Sequence, residues 1–147
     1  MPRYLVGVDF HSGNAETPMS EWKPEEIQAH LNYYAALNDT LERSGELVEA
    51  TVLTGPDLAK IVTSDGATAP VVTDGPFQEF KEWLAGYQIV EVESEARAVE
   101  IAAKVSAVPG PGGVPVQQPV HLRQVMDDGP SDVDGMETFL RQAGGDG

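Results

Sequence analysis

The chain has 147 residues, 41% of them hydrophobic and 22% charged, which suits one domain with a real core rather than two. A formal charge of −15 with only nine Lys and Arg argues against a nucleic-acid partner, whose phosphates need a basic face. The absence of cysteine removes disulfides, thiolate zinc sites and a cysteine nucleophile, and is compatible with a cytoplasmic location.

Arg3 to Phe10 alternates Tyr4, Val6, Val8 and Phe10 with Arg3, Leu5, Gly7 and Asp9. Both sets carry apolar residues, which predicts a mostly buried strand at the centre of a sheet. The N-terminal apolar run is too short for a signal peptide, and nothing reaches the roughly 18 apolar residues of a membrane span. Asp9 to Lys23 reads as a loop with Gly13, Asn14 and Pro18. Loops that follow central strands often carry sites, so Asp9 and His11 are candidate ligand-binding residues. Pro24 suits the first helical position, and Glu25 and Glu26 suit the positive end of the helix dipole. A long helix then follows through Ile27, Leu31, Tyr34, Ala35, Asn38 and Leu41, and Gly45 ends it. His30 lies beside this stripe, as a core-edge or solvated histidine.

Glu46 to Leu53 reads as a second strand, broken by Gly55-Pro56. Lys60 to Thr63, the turn Ser64-Asp65-Gly66, and Thr68 to Thr73 read as a hairpin, with Pro70 marking its second arm as an edge. Asp74-Gly75-Pro76-Phe77 breaks the chain sharply, and an irregular crossing segment follows. Gly86 to Val92 is a strand with Tyr87 and Ile89 on one side and Gln88, Val90 and Val92 on the other. Ser94 caps a second helix, whose Ala98, Ile101, Ala102 and Val105 share one face. Val108 to Pro119 is a Pro- and Gly-rich loop, and Val120 to Met126 is the last strand. Residues 127–147 hold six acids and one Arg. They read as a mobile tail with a short helix over Met136 to Gln142.

The order β-α-β, hairpin, β-α-β predicts an α+β fold: a ferredoxin-like split βαβ over residues 1–126 with an inserted hairpin, followed by an acidic tail over 127–147. Its helices lie on one face of the sheet. The other face, assigned Val6, Val8, Ile89 and Leu122, needs a cover. The simplest cover is a second copy, so a homodimer is expected.

Asp65-Gly66, Val72-Thr73-Asp74-Gly75-Pro76-Phe77, Glu79, Lys81-Glu82 and Gly86-Tyr87 together resemble the hallmark of the DGPF branch of the YCII-related (YciI-like) proteins. The resemblance spans residues 3 to 126. It implies a dimeric α/β barrel and leaves the reaction open, because the family is largely without assigned activities. Family members end on an acid, a hydrophobic residue, Arg, Pro and Val. Here the strand reads His121-Leu122-Arg123-Gln124-Val125, with Arg123 kept, His121 in place of the acid and Gln124 in place of the proline. The sister branch is associated with a His–Asp dyad. His30 matches its first member, but Lys104 to Pro109 contains no Asp, so that dyad does not carry over.

Asp74, His121 and Arg123 are the candidate catalytic residues, with Asp9 or His11 nearby. A histidine beside a carboxylate can act as a base, and an arginine can hold an anion bidentately. Phe77, Lys81 and Tyr87 join Asp9 and His11 as candidate ligand-binding residues. The alternative is structural: Asp74 caps its own turn, Arg123 pairs with Glu79 or Glu82, and His121 lines a cleft. No metal is expected, since the three histidines show no ligand spacing. No cofactor is expected either. Gly110 to Gly113 lacks the Lys-Ser/Thr of a phosphate loop. Two functions follow. One is a homodimer binding a small, anionic organic molecule between its sheets, with cofactor-free lyase, isomerase or hydrolase chemistry. The other is a non-catalytic regulatory or partner-binding protein, since some relatives are encoded beside extracytoplasmic-function sigma factors.

Overall fold

The computed structural model describes residues 1–10, 19–74, 83–126 and 129–143. The chain is an α+β protein. A four-stranded sheet has the order β2-β5-β1-β6, and a separate two-stranded ribbon pairs β3 with β4. The strands are β1 (Arg3–Asp9), β2 (Leu47–Val52), β3 (Lys60–Thr63), β4 (Val71–Asp74), β5 (Leu84–Glu91) and β6 (Val120–Gln124). The helices are α1 (Pro24–Arg43), α2 (Glu95–Ser106) and α3 (Val133–Ala143). Within each β-α-β half one strand is central and one is an edge. β1 is flanked by β5 and β6, and β5 by β1 and β2, every pair antiparallel.

Strand periodicity decides what the sheet buries. Tyr4, Val6, Val90 and Val92 pack with Leu37 and Leu41 of α1 and with Ala98, Ile101 and Val105 of α2. Val8, Val120 and Leu122 pack at the edge of the same cluster. This corrects the assignment of Val6, Val8 and Leu122 to the uncovered face. Among the four residues placed there from sequence, Ile89 alone alternates away from the core. The reason is register: Val6 stands opposite Leu122 and Val8 opposite Val120, so these pairs share one face, and both helices pack on it.

Local chemistry sets the element ends. Pro24 opens α1, and the Lys23 N–H donates to Glu26 Oε1 at 2.9 Å. Gly45, at φ +80°, turns the chain after α1 into β2. The Arg97 N–H donates to Ser94 Oγ at 3.2 Å and caps α2. In the ribbon turn the Thr68 and Ala67 N–H groups donate to Asp65 Oδ1, which holds that carboxyl below the usual carboxylate range. The α1 stripe is shifted in phase from the sequence reading: Leu37 and Leu41 are buried, while Leu31 is 52% exposed. Ile27, His30, Tyr34, Leu37 and Leu41 follow the 3.6-residue period more closely than a stripe through Leu31 and Ala35.

Residues 108–119 form a packed lobe rather than an open loop. Val108 and Val116 bury themselves with Trp22, against Ile27, Tyr33 and Tyr34. Side chains tie the lobe to α1. The Gly112 N–H donates to Glu26 Oε2 at 2.5 Å, and Gln118 Nε2 donates to the Tyr34 hydroxyl at 2.7 Å. His30 sits between the Trp22 and Tyr34 rings and places Nδ1 2.9 Å from the Pro109 carbonyl oxygen. That contact gives His30 a structural role. The C-terminal helix starts earlier than the sequence suggests, with the Gly135 N–H donating to Asp132 Oδ1 at 2.7 Å ahead of a full α3.

Candidate functional site

The sheet face turned away from α1 and α2 collects the polar chemistry. Arg3, Leu5, Gly7 and Asp9 alternate away from the core on β1. His121 and Arg123 do so on β6, and Tyr87 and Ile89 on β5. Gly7 stands opposite His121 and Leu5 opposite Arg123. Asp9 is therefore the diagonal neighbour of His121, within reach of a ring that leans along the strand. His121 Nε2 lies 2.8 Å from Asp9 Oδ2. The Asp9 side chain is 14% exposed and that of His121 44%, so the carboxylate is sheltered and the imidazole half open.

Gly7 makes room for two leucines next to this pair. A Cβ at Gly7 would stand 2.9 Å from Leu5 Cδ2 and 3.1 Å from Leu84 Cδ1, and 3.9 Å from His121 Cβ. Both leucines thus close over a bare stretch of backbone and form an apolar floor beside the imidazole. The signal in the sequence was a glycine inside a strand, which marks a close approach. It points to no partner, and neither Gly7 nor Leu84 was singled out from sequence. Leu84 reaches the floor because the β1–β5 register shifts between Val8 and Asp9, setting Asp9 opposite Leu84.

The structure joins Asp9 to His121 and sets Arg123, exposed, two residues along the same face. Asp74 ends β4 in the two-stranded ribbon, where Lys60 Nζ lies 2.5 Å from Asp74 Oδ1. With side chains 61% and 72% exposed, that pair contributes about 0–1 kcal/mol. The Tyr87 hydroxyl donates to Glu49 Oε2 across the β2–β5 pair. His11, Phe77 and Lys81 lie outside the described residues, as do Glu79 and Glu82, the suggested partners of Arg123. A surface hollow of about 300 Å³ at the ribbon turn, lined by Thr63, Asp65, Thr68 and Val71 among others, contains none of the site residues. The candidate site is thus the sheet face turned away from both helices, where Leu5, Asp9, Leu84, Tyr87 and Ile89 are half-buried and His121 and Arg123 exposed.

Chemically, a carboxylate against one imidazole nitrogen fixes the tautomer and leaves the other nitrogen as a proton acceptor. A guanidinium on the same face adds a fork for an anion.

These features describe an α+β domain with one sheet face filled by helices and the other carrying a His–Asp pair and an arginine. The chain belongs to the YCII-related family: the YCII-related domain matches it over residues 11–115. It is also 30% identical to an uncharacterised protein of Rhizobium meliloti (strain 1021) over 105 residues, which are 71% of this chain and 84% of the relative. Asp9 and His121 both fall outside the matched residues 11–115, so family membership by itself does not define their pairing.

Proposed function

We infer that this YCII-related chain is a cytoplasmic homodimer that binds a small organic anion between the sheet faces turned away from its helices. The observation that carries the reading is the composition of that face. Leu5, Leu84, Ile89 and Tyr87 form an apolar floor, and Arg123 and the Asp9–His121 pair stand beside it. An apolar sheet face seeks a second layer, and a second copy offers the same floor. In a chain of net charge −15, the exposed Arg123 on this face makes it a favourable place to hold an anion. Among the described residues no helix is long and apolar enough to cross a membrane.

Light scattering on the eluting peak tests the assembly. The full chain is expected at twice its mass, and Ile89→Glu, which puts a charge on the floor, at the mass of one chain with its circular dichroism kept. An Ile89→Glu variant that stays dimeric rejects a sheet-to-sheet dimer.

A second reading has its own observation. α3 carries exposed Val133, Met136 and Leu140, at 73%, 44% and 57%, flanked by Asp132, Asp134 and Glu137. An acidic amphipathic helix of this kind fits an apolar groove with a basic rim on a protein partner, for example an extracytoplasmic-function sigma factor. Truncation after Met126 is then expected to abolish binding of the purified partner and leave the unfolding free energy within about 0.5 kcal/mol of the full chain. Binding that survives truncation removes α3 from this reading.

A further inference from the structure

We propose that Asp9 and His121 form a general-base dyad that moves a carbon-bound proton of a small 2-oxo carboxylate held by Arg123. The proposal rests on the reading of this sheet face as an anion site and names the chemistry done there.

The nitrogen assignment follows from the geometry. Nε2 stands 2.8 Å from Asp9 Oδ2, and the neutral tautomer that carries its proton on Nε2, towards this carboxylate, has Nδ1 as its acceptor. Nδ1 is then the lone pair of a half-exposed ring. When Nδ1 takes up a proton the ring becomes cationic, and the sheltered Asp9 carboxylate stabilises that cation.

The substrate class follows from Arg123. It shares a face with His121 at a two-residue strand spacing, about 6.5–7 Å between Cα atoms. A guanidinium fork donates to two oxygens side by side. In a 2-oxo carboxylate the carboxylate oxygen and the ketone oxygen are adjacent, and the acidic hydrogens sit on the next carbon. Arg123 can hold both oxygens while that carbon faces Nδ1. In the step, Nδ1 forms a bond to the proton and the C–H bond breaks. Its electron pair forms the C=C bond of an enolate, and the carbonyl π pair moves to oxygen, beside the guanidinium. The imidazolium then returns a proton to carbon and restores the keto form. Nothing is oxidised or reduced, and no further reactant is consumed.

Proton exchange into solvent reads this step directly. With the full chain in D₂O and pyruvate or 2-oxobutyrate as the probe, the C3 proton signal is expected to vanish faster than in buffer. His121→Gln and Asp9→Asn should each slow the protein-dependent rate by about 100-fold or more. Arg123→Gln should raise the probe concentration that gives half the maximal rate. Oxamate, which has the same adjacent oxygens and no exchangeable carbon-bound hydrogen, reports binding alone. It is titrated against the histidine ring resonances, with the His121 signal assigned by its loss in His121→Gln. If oxamate shifts His121 and exchange needs both Asp9 and His121, the proposal stands. If oxamate binds but pyruvate and 2-oxobutyrate do not exchange, the anion site survives and the dyad's chemistry is overturned. If neither binding nor exchange occurs, both readings fall. Exchange undiminished in a folded His121→Gln variant also overturns the dyad. Circular dichroism confirms that each variant is folded.

Discussion

Ile101→Ala is expected to lower the unfolding free energy by about 3 kcal/mol. Ile101 is 0% exposed and lies mid-way along α2, where Ala98 and Val105 complete the stripe set against Tyr4, Val6, Val90 and Val92. Truncation removes buried methyl and methylene groups and leaves a cavity that the sheet, held by β1 and β5 hydrogen bonds, can fill only in part. Alanine's better helix propensity returns roughly 0.4 kcal/mol, too little to change the outcome. For a chain of this length the loss corresponds to a fall of about 6–12 °C in Tm. Val99, 53% exposed on the opposite side of α2, is the control: Val99→Ala should stay within about 0.5 kcal/mol. Urea titrations of both variants separate the two effects. A loss below about 1 kcal/mol for Ile101→Ala would show that α2 is not fixed against the sheet, because a fully buried isoleucine ordinarily costs at least twice that.

Arg97→Leu comes next, with an expected loss of about 2–3 kcal/mol at neutral pH. Arg97 on α2 meets Glu46, at the corner between α1 and β2, through two contacts. Nε lies 2.8 Å from Oε2 and Nη2 2.9 Å from Oε1. The side chains are only 23% and 16% exposed. Ser44 Oγ donates to the same carboxylate at 2.8 Å, and the Glu46 carbonyl accepts the Glu91 N–H at 2.7 Å. The fork therefore ties α2 to the corner that starts the edge strand. Removing it leaves a sheltered carboxylate with a single hydroxyl donor. The outer partner Glu100, 63% exposed, contributes little.

The Arg97 hydrogen bonds are the largest influence on Glu46 and, with Ser44, hold its carboxyl below the usual range, while burial pushes the other way. A depressed pKa in the folded state means that the unfolded chain binds the proton first as pH falls. The stabilisation is therefore fully present above the unfolded glutamate pKa, about 4.3, and is lost as pH drops through the lower folded value. The gap between the natural chain and Arg97→Leu should be widest near pH 7 and shrink once the pH falls below about 4. A gap that is constant from pH 7 to pH 3 would mean that Arg97 acts through packing of its stem and not through its charge.

Much of the local structure was readable from the chain. Ser94 and the spacing of Ala98, Ile101 and Val105 define α2 and its buried face, because cap and stripe lie within one continuous helix. Gly45 and the Asp65-Gly66 turn mark element ends, because the αL backbone and the carboxylate-capped turn are one-residue decisions. The family hallmark is equally local, and the match over residues 11–115 agrees with it. What the chain could not say alone is which sheet face the helices cover. Val6 and Val8 on one face of β1 and Leu5 on the other are similar in hydrophobicity. A period of two separates the faces without ranking them, and the choice falls to the register that aligns Val6 with Leu122 and Tyr4 with Val90. The same register brings Asp9 beside His121, while the separate β3–β4 ribbon sets Asp74 opposite Lys60. Asp9, Asp74 and His121 were all visible as candidates, but no spacing along the chain tells which carboxylate meets the imidazole. That pairing is a property of two strands from opposite ends of the chain. Only the hydrogen-bonded alignment of β1 and β6, secured by the core on the other face, decides it.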